Sequence, residues 1–147
     1  MHTRVREYPP TGGASSCAES CFDERLLLYG KKMLDALNWH GLAMVEFNRT
    51  PDGDYVIMEV NPRFRGSLGL AVASGVDFPY NLVRLARGED IGEQVEYTIG
   101  KRYQWVITKD LRHVAERRSS LKGFLADLID PRVKSDIWLS DIMPNLM

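Results

Sequence analysis

Two short runs rich in Val, Ile, Met and aromatic residues, GLAMVEFN at 41–48 and DYVIMEVN at 54–61, flank Thr50-Pro51-Asp52-Gly53. An Asp-Gly pair between two such runs is a strong local signal for a β-hairpin, and it commits this part of the chain to antiparallel sheet. With Asp52 and Gly53 as the turn, Glu46 falls directly across from Glu59. The strand period of two then sorts the faces. Ala43, Val45 and Phe47 are predicted to share an apolar face with Val56, Met58 and Val60, which suits it to cover a core. Met44, Glu46 and Asn48 turn the other way with Ile57, Glu59 and Asn61.

Like charges opposed across a ladder destabilise it, and crowded carboxylates resist ionising together. Two readings of the acidic pair stay open. It is either a solvated pair offset by Arg49, Arg63 or Arg65, or a site for a divalent cation. Two carboxylates and an amide oxygen are hard ligands, suited to Mg²⁺ or Mn²⁺. Asn61-Pro62-Arg63 then ends the second strand abruptly. Arg63, Arg65, Gly66 and Ser67 follow, a mixed-charge segment with the parts to hold an anion against a metal.

These residues carry a resemblance. VEF, followed by MEVNPRFRGSLGLAVASGVDFP, resembles the C-terminal lobe of an ATP-grasp enzyme, in the branch similar to the carbamoyl-phosphate synthase large chain and related carboxylate-amine ligases. It spans roughly residues 1–90 and is most specific over 41–79. It implies an α+β fold, an antiparallel sheet with flanking helices forming the C-terminal part of an ATP-grasp fold. It implies ATP with Mg²⁺ or Mn²⁺ as cofactors. Glu46, Glu59 and Asn61 stand where that family places its metal ligands, and Met58 where it lines the adenine pocket. Arg63 stands where the family residue faces the transferred phosphoryl group or the acyl phosphate. The implied substrates are a small-molecule carboxylate and an amine. The phosphate-binding lysines of the family belong to a preceding lobe, expected in cis or in trans, because Lys31 and Lys32 sit in the wrong segment to replace them. The chain alone is expected to be inactive. The alternative is a non-catalytic interaction module derived from such a lobe.

Elsewhere the signals are local. HTRVREY is a strand candidate ended by Pro9-Pro10, and Arg4 and Arg6 on it are read either as solvated or as reaching an anion. Residues 11–16, Thr-Gly-Gly-Ala-Ser-Ser, are expected to be a loop, and Cys17 and Cys21, four apart, a helical pair of free thiols. Asp23 is placed to cap a helix from Glu24 to about Trp39, with Leu26, Leu27, Met33, Leu34 and Leu37 forming an apolar face against the hairpin. His40, at the end of that helix, suits capping or packing. Ser67 to Gly75 suits a short helix, with Ser67 as its cap and its first amides aimed at an anion. Asp77 and Pro79 open a second helix closed by Gly88. Strand-like runs at Val95–Ile99 and Tyr103–Thr108 surround Gly100-Lys101, and a helical pattern covers Ser120–Ile129. Arg112, Arg117, Arg118 and Lys122, interspersed with Asp110, Glu116 and Asp127, are expected to form a solvated face.

Length admits one sizeable core, so the organisation expected is a lobe at 1–90, holding the metal-binding hairpin 41–62, and an extension at 91–147 that packs on it or on a partner. A net charge of -1 supplies no argument for nucleic acid or for a membrane surface. No apolar run nears the roughly 20 residues that cross a bilayer, and a secretory h-region is lacking, so a cytoplasmic location is expected. The apolar segment from Ile137 to Met147 is expected to seek a surface and to favour a homo-oligomer.

Overall fold

The computed structural model describes residues 1–94 and 96–137. It is an α+β structure in two units. The first gathers residues 1–21, 66–76 and the described part of the C-terminal segment; the second gathers 22–65 and 77–94.

The first unit is built on a four-stranded sheet. Strand β1 (His2–Tyr8) is at one edge, followed by β2 (Ala14–Ser20), β5 (Arg102–Gln104) and β6 (Lys134–Ser135). β1, β2 and β5 pair antiparallel, and the two-residue β6 runs parallel to β5. The loop expected at 11–16 is therefore shorter, and Cys17 lies in a strand rather than a helix. Flanked on both sides in the sheet, β2 carries small side chains, with Ser16, Cys17, Ala18 and Ser20 all buried. Ala18, Leu70 and Tyr103 form the core, with Ala73 and Trp105 against it. Leu70 and Ala73 belong to helix α2 (Leu68–Ala73), which packs close because residue 69 is glycine: a Cβ there would meet the Tyr103 ring at 2.7 Å.

The second expected strand pair shrinks to β5. Residues 96–99 form no strand, and Val95 lies outside the described residues. Val106–Asp110 is a single π-helical turn running into α4 (Leu111–Glu116). Asp136 holds the start of that turn by accepting from the Val106 amide at 2.8 Å. A short 3₁₀ turn then leads into α5 (Leu121–Ile129), within the predicted helical stretch.

Asp110 and Asp127, expected on a solvated face, are buried at 0% and 5% exposure. They hold Arg6, itself 9% exposed. Its Nε and Nη2 donate to Asp110 at 2.8–3.1 Å, and Nη1 lies 2.7 Å from Asp127. Ser16 and Gln104 donate to Asp110, and Arg102 to Asp127. A buried charge persists only when paired and hydrogen-bonded, and each charge of this set is, although the Gln104 Oε1 beside them is buried without a partner. Burial would lower the Arg6 pKa, but the hydrogen bond to Asp110 and the nearby negative charges raise it on balance. Burial also pushes the Cys17 thiol up to about 12, so this cysteine is a packed, protonated side chain.

In the second unit, α1 (Glu24–Ala36) is capped by Asp23, whose carboxylate accepts from the Arg25 and Leu26 amides. The helix ends three residues short of Trp39, with Asn38 in the left-handed region at φ 47°. Its expected apolar face is only partly covered, since none of its residues is buried. Helix α3 (Phe78–Ala86) begins as predicted, with Asp77 accepting from the Tyr80 amide and proline in its first turn. The hairpin of β3 (Met44–Arg49) and β4 (Tyr55–Asn61) completes this unit.

Candidate metal and phosphate site

The hairpin forms where predicted, by a different route. Its connection is the five residues 50–54: the Thr50 amide donates to Asp54 O at 2.8 Å, and the Gly53 amide to Thr50 O at 2.9 Å. Gly53 sits at φ 87°, which a side chain would resist. Near this loop the register is one residue off the predicted one, with Arg49 opposite Tyr55 and Phe47 opposite Ile57. A β-bulge at Met58 then restores it, so that Glu46 pairs with Glu59, Val45 with Val60 and Met44 with Asn61. The two departures cancel at the acidic pair.

The bulge corrects the face assignment. Phe47 shares its side with Ile57 and meets the Tyr55 ring edge-on at 6.5 Å, so it does not share a side with Val56 and Met58. Val56 and Met58, placed on the core face by simple alternation, are 52% and 62% exposed, whereas Met44 is buried. At a bulge two residues face one, and strict alternation lapses. Met58 and Glu59, neighbours in sequence, are thereby released from pointing to opposite sides.

Glu46 is half-buried, Glu59 exposed, and Asn61 half-buried. The Asn61 Nδ2 is buried without a hydrogen-bond partner, so no bond there prevents the amide from turning its oxygen toward the acids. Two opposed carboxylates and this amide make a hard oxygen donor set, which fits Mg²⁺ or Mn²⁺. Among the described residues no group of three or more His, Cys, Asp or Glu that could hold a metal occurs. Arg63, just past β4, is exposed, with Nη1 3.4 Å from Phe64 O, and its guanidinium faces solvent where an anion can reach it. Ser67 belongs to the first unit; its side chain makes no cap to α2, which at six residues offers no anion site.

Residues 3–109 match the family described as ATP-grasp in the biosynthetic pathway with Ter operon. The chain belongs to this ATP-grasp family. Membership points to ATP-dependent, ligase-type chemistry, and the matched span contains all of Glu46, Met58, Glu59, Asn61 and Arg63. No curated protein and no solved structure gives a match. Among the described residues no helix is long and apolar enough to cross a membrane. Within this ATP-grasp chain, the Met58 bulge is the feature of the site that sequence reasoning missed. Nothing local marks it, because neither a glycine nor a proline occurs in Tyr55–Asn61.

Proposed function

We propose that this chain supplies the metal- and phosphoryl-handling part of an ATP- and Mg²⁺-dependent carboxylate-amine ligase, in the branch similar to the carbamoyl-phosphate synthase large chain. The observation that carries the reading is the direct opposition of Glu46 and Glu59 across the β3–β4 ladder, in a chain of the ATP-grasp family. Glu46, Glu59 and Asn61 are the residues that hold the cation. When bound, that ion screens phosphate charge and aligns the phosphates for in-line transfer. Met58, freed from strict alternation by its bulge, lines the base. Arg63 faces the transferred group, where a guanidinium stabilises charge gathering on phosphoryl oxygens.

The substrate carboxylate attacks the γ-phosphorus and ADP leaves. The resulting acyl phosphate is opened by an amine, which forms the amide and releases phosphate. No side chain acts as nucleophile, in keeping with a hairpin that offers acids, an amide and an arginine but no serine, cysteine or lysine. The lysines that grip the phosphates belong to a further lobe, in cis or in trans.

The experiment is an assay of the complete protein for ADP release against panels of acids and amines. Amide formation that requires both substrates, and that falls by orders of magnitude in Arg63→Ala with nucleotide binding retained, supports the ligase. Steady ADP production without acid, and without any amide product, overturns it.

A further inference from the structure

Helix α1 lies against the hairpin without closing over it. Between them is a groove of about 640 Å³, lined among others by Tyr29, Lys32, Met33, Phe47, Tyr55 and Ile57. That volume falls within the range of roughly 300–1,000 Å³ typical of small-molecule sites. Phe47 and Ile57, paired across the ladder, both line the groove, whereas neither Glu46 nor Glu59 does.

Its walls are aromatic and held in place. Phe47 and Tyr55 meet edge to face, 72° apart. The Tyr55 hydroxyl donates to Asp23 at 2.6 Å, and the Arg25 guanidinium lies 5.0 Å from the centre of its ring. Tyr29 and Ile57 stay 37% and 36% exposed, apolar surface that the helix leaves uncovered. One charged residue lines the groove, Lys32, and no acid does. Its neighbour Lys31 is paired with Glu93. Among the described residues the Lys32 side chain has neither an ion pair nor a hydrogen bond.

We infer that this groove binds an aromatic carboxylate, with the ring against Tyr29, Phe47 and Tyr55 and the carboxylate on the Lys32 ammonium. Charge complementarity selects that occupant: a carboxylate gains the Lys32 ammonium, which an apolar ligand would leave to water, and a cation would be repelled. The inference stands independently of the ligase reading, since it uses none of the residues proposed to hold metal or phosphate.

The test is a titration of the full chain with 2-naphthoate, with 2-naphthamide as its uncharged counterpart, followed by ligand fluorescence. Expected are one saturable naphthoate site per chain and a weakening of about tenfold or more in Lys32→Met, the scale of one charge-assisted contact. Lys31→Met and Mg²⁺-ATP should leave naphthoate affinity unchanged, and Lys32→Met should leave the naphthamide affinity unchanged. Because Lys32 is exposed, its replacement does not threaten the fold. Equal binding of acid and amide, an unchanged affinity in Lys32→Met, or displacement by Mg²⁺-ATP would each overturn the inference. So would self-association of the chain that excludes naphthoate, because the groove would then be a contact between copies.

Discussion

Replacing Arg6 by methionine keeps the length of the side chain and removes the charge that Asp110 and Asp127 share. Asp110 is fully buried, and Arg6 is its only ion-pair partner among the described residues; Ser16 and Gln104 would remain as neutral donors. Asp127 would keep Arg102 at 2.9 Å. The variant therefore strands one buried carboxylate and weakens the support of a second. Breaking a buried pair from one side costs roughly 3–5 kcal/mol, a large share of the stability of a domain. Urea unfolding followed by tryptophan fluorescence, with Trp105 packed on Tyr103 as a reporter in the same unit, measures it. Adding Asp110→Asn to Arg6→Met should recover part of the loss, because the stranded charge is then gone, and the double-mutant cycle reads the coupling. Arg102→Met should cost less than Arg6→Met, since the Arg102 side chain is 40% exposed and solvent screens its pairs. A loss below about 1 kcal/mol for Arg6→Met, the scale of an exposed ion pair, would refute the reading of Arg6, Asp110 and Asp127 as buried charges that depend on one another.

Glu59→Gln removes one of two directly opposed like charges, so the metal-free chain should be as stable as the parent or up to roughly 1 kcal/mol more so by denaturant unfolding; clear destabilisation would instead make Glu59 a structural ion-pair partner. The same variant should lose Mg²⁺-nucleotide affinity in the complete protein, measured by calorimetry. The hydrogen bond from Tyr55, ahead of the capped amides, holds the Asp23 carboxyl below its ordinary value. A depressed carboxyl stabilises the fold above its unfolded pKa, and that stability is lost as pH falls through the folded value, so the α1 helix signal in circular dichroism should begin to fall below about pH 4. Tyr55→Phe should move that loss to higher pH, and an unchanged acid limb would show that the cap does not depend on the phenol. Gly69→Ala should destabilise the chain by roughly 1–3 kcal/mol, because the added methyl meets the buried Tyr103 ring at 2.7–2.9 Å. A Gly69→Ala protein that melts with the parent would mean that the ring moves aside freely.

The sequence by itself determined what rests on neighbours along the chain. Asp23 and Asp77 capped the helices they were expected to cap, because a cap is made between residues two or three apart. The hairpin was legible from two apolar runs around Asp-Gly, and so was the meeting of Glu46 with Glu59, although the bulge that secures it was not. The family could be suspected from the same stretch, because metal and phosphate chemistry fixes side-chain types at fixed spacing. Tertiary structure alone decided the rest. Ser15-Ser16-Cys17-Ala18 has no strand pattern and becomes a strand because β1 and β5 supply its hydrogen bonds and only small side chains fit between the layers. Arg6 and Asp110 are ordinary surface residues in the sequence; 104 positions apart, they are buried together because burial of either charge is tolerable only beside the other. Pairing energy of that kind depends on where the fold brings two charges, and no window along the chain contains both.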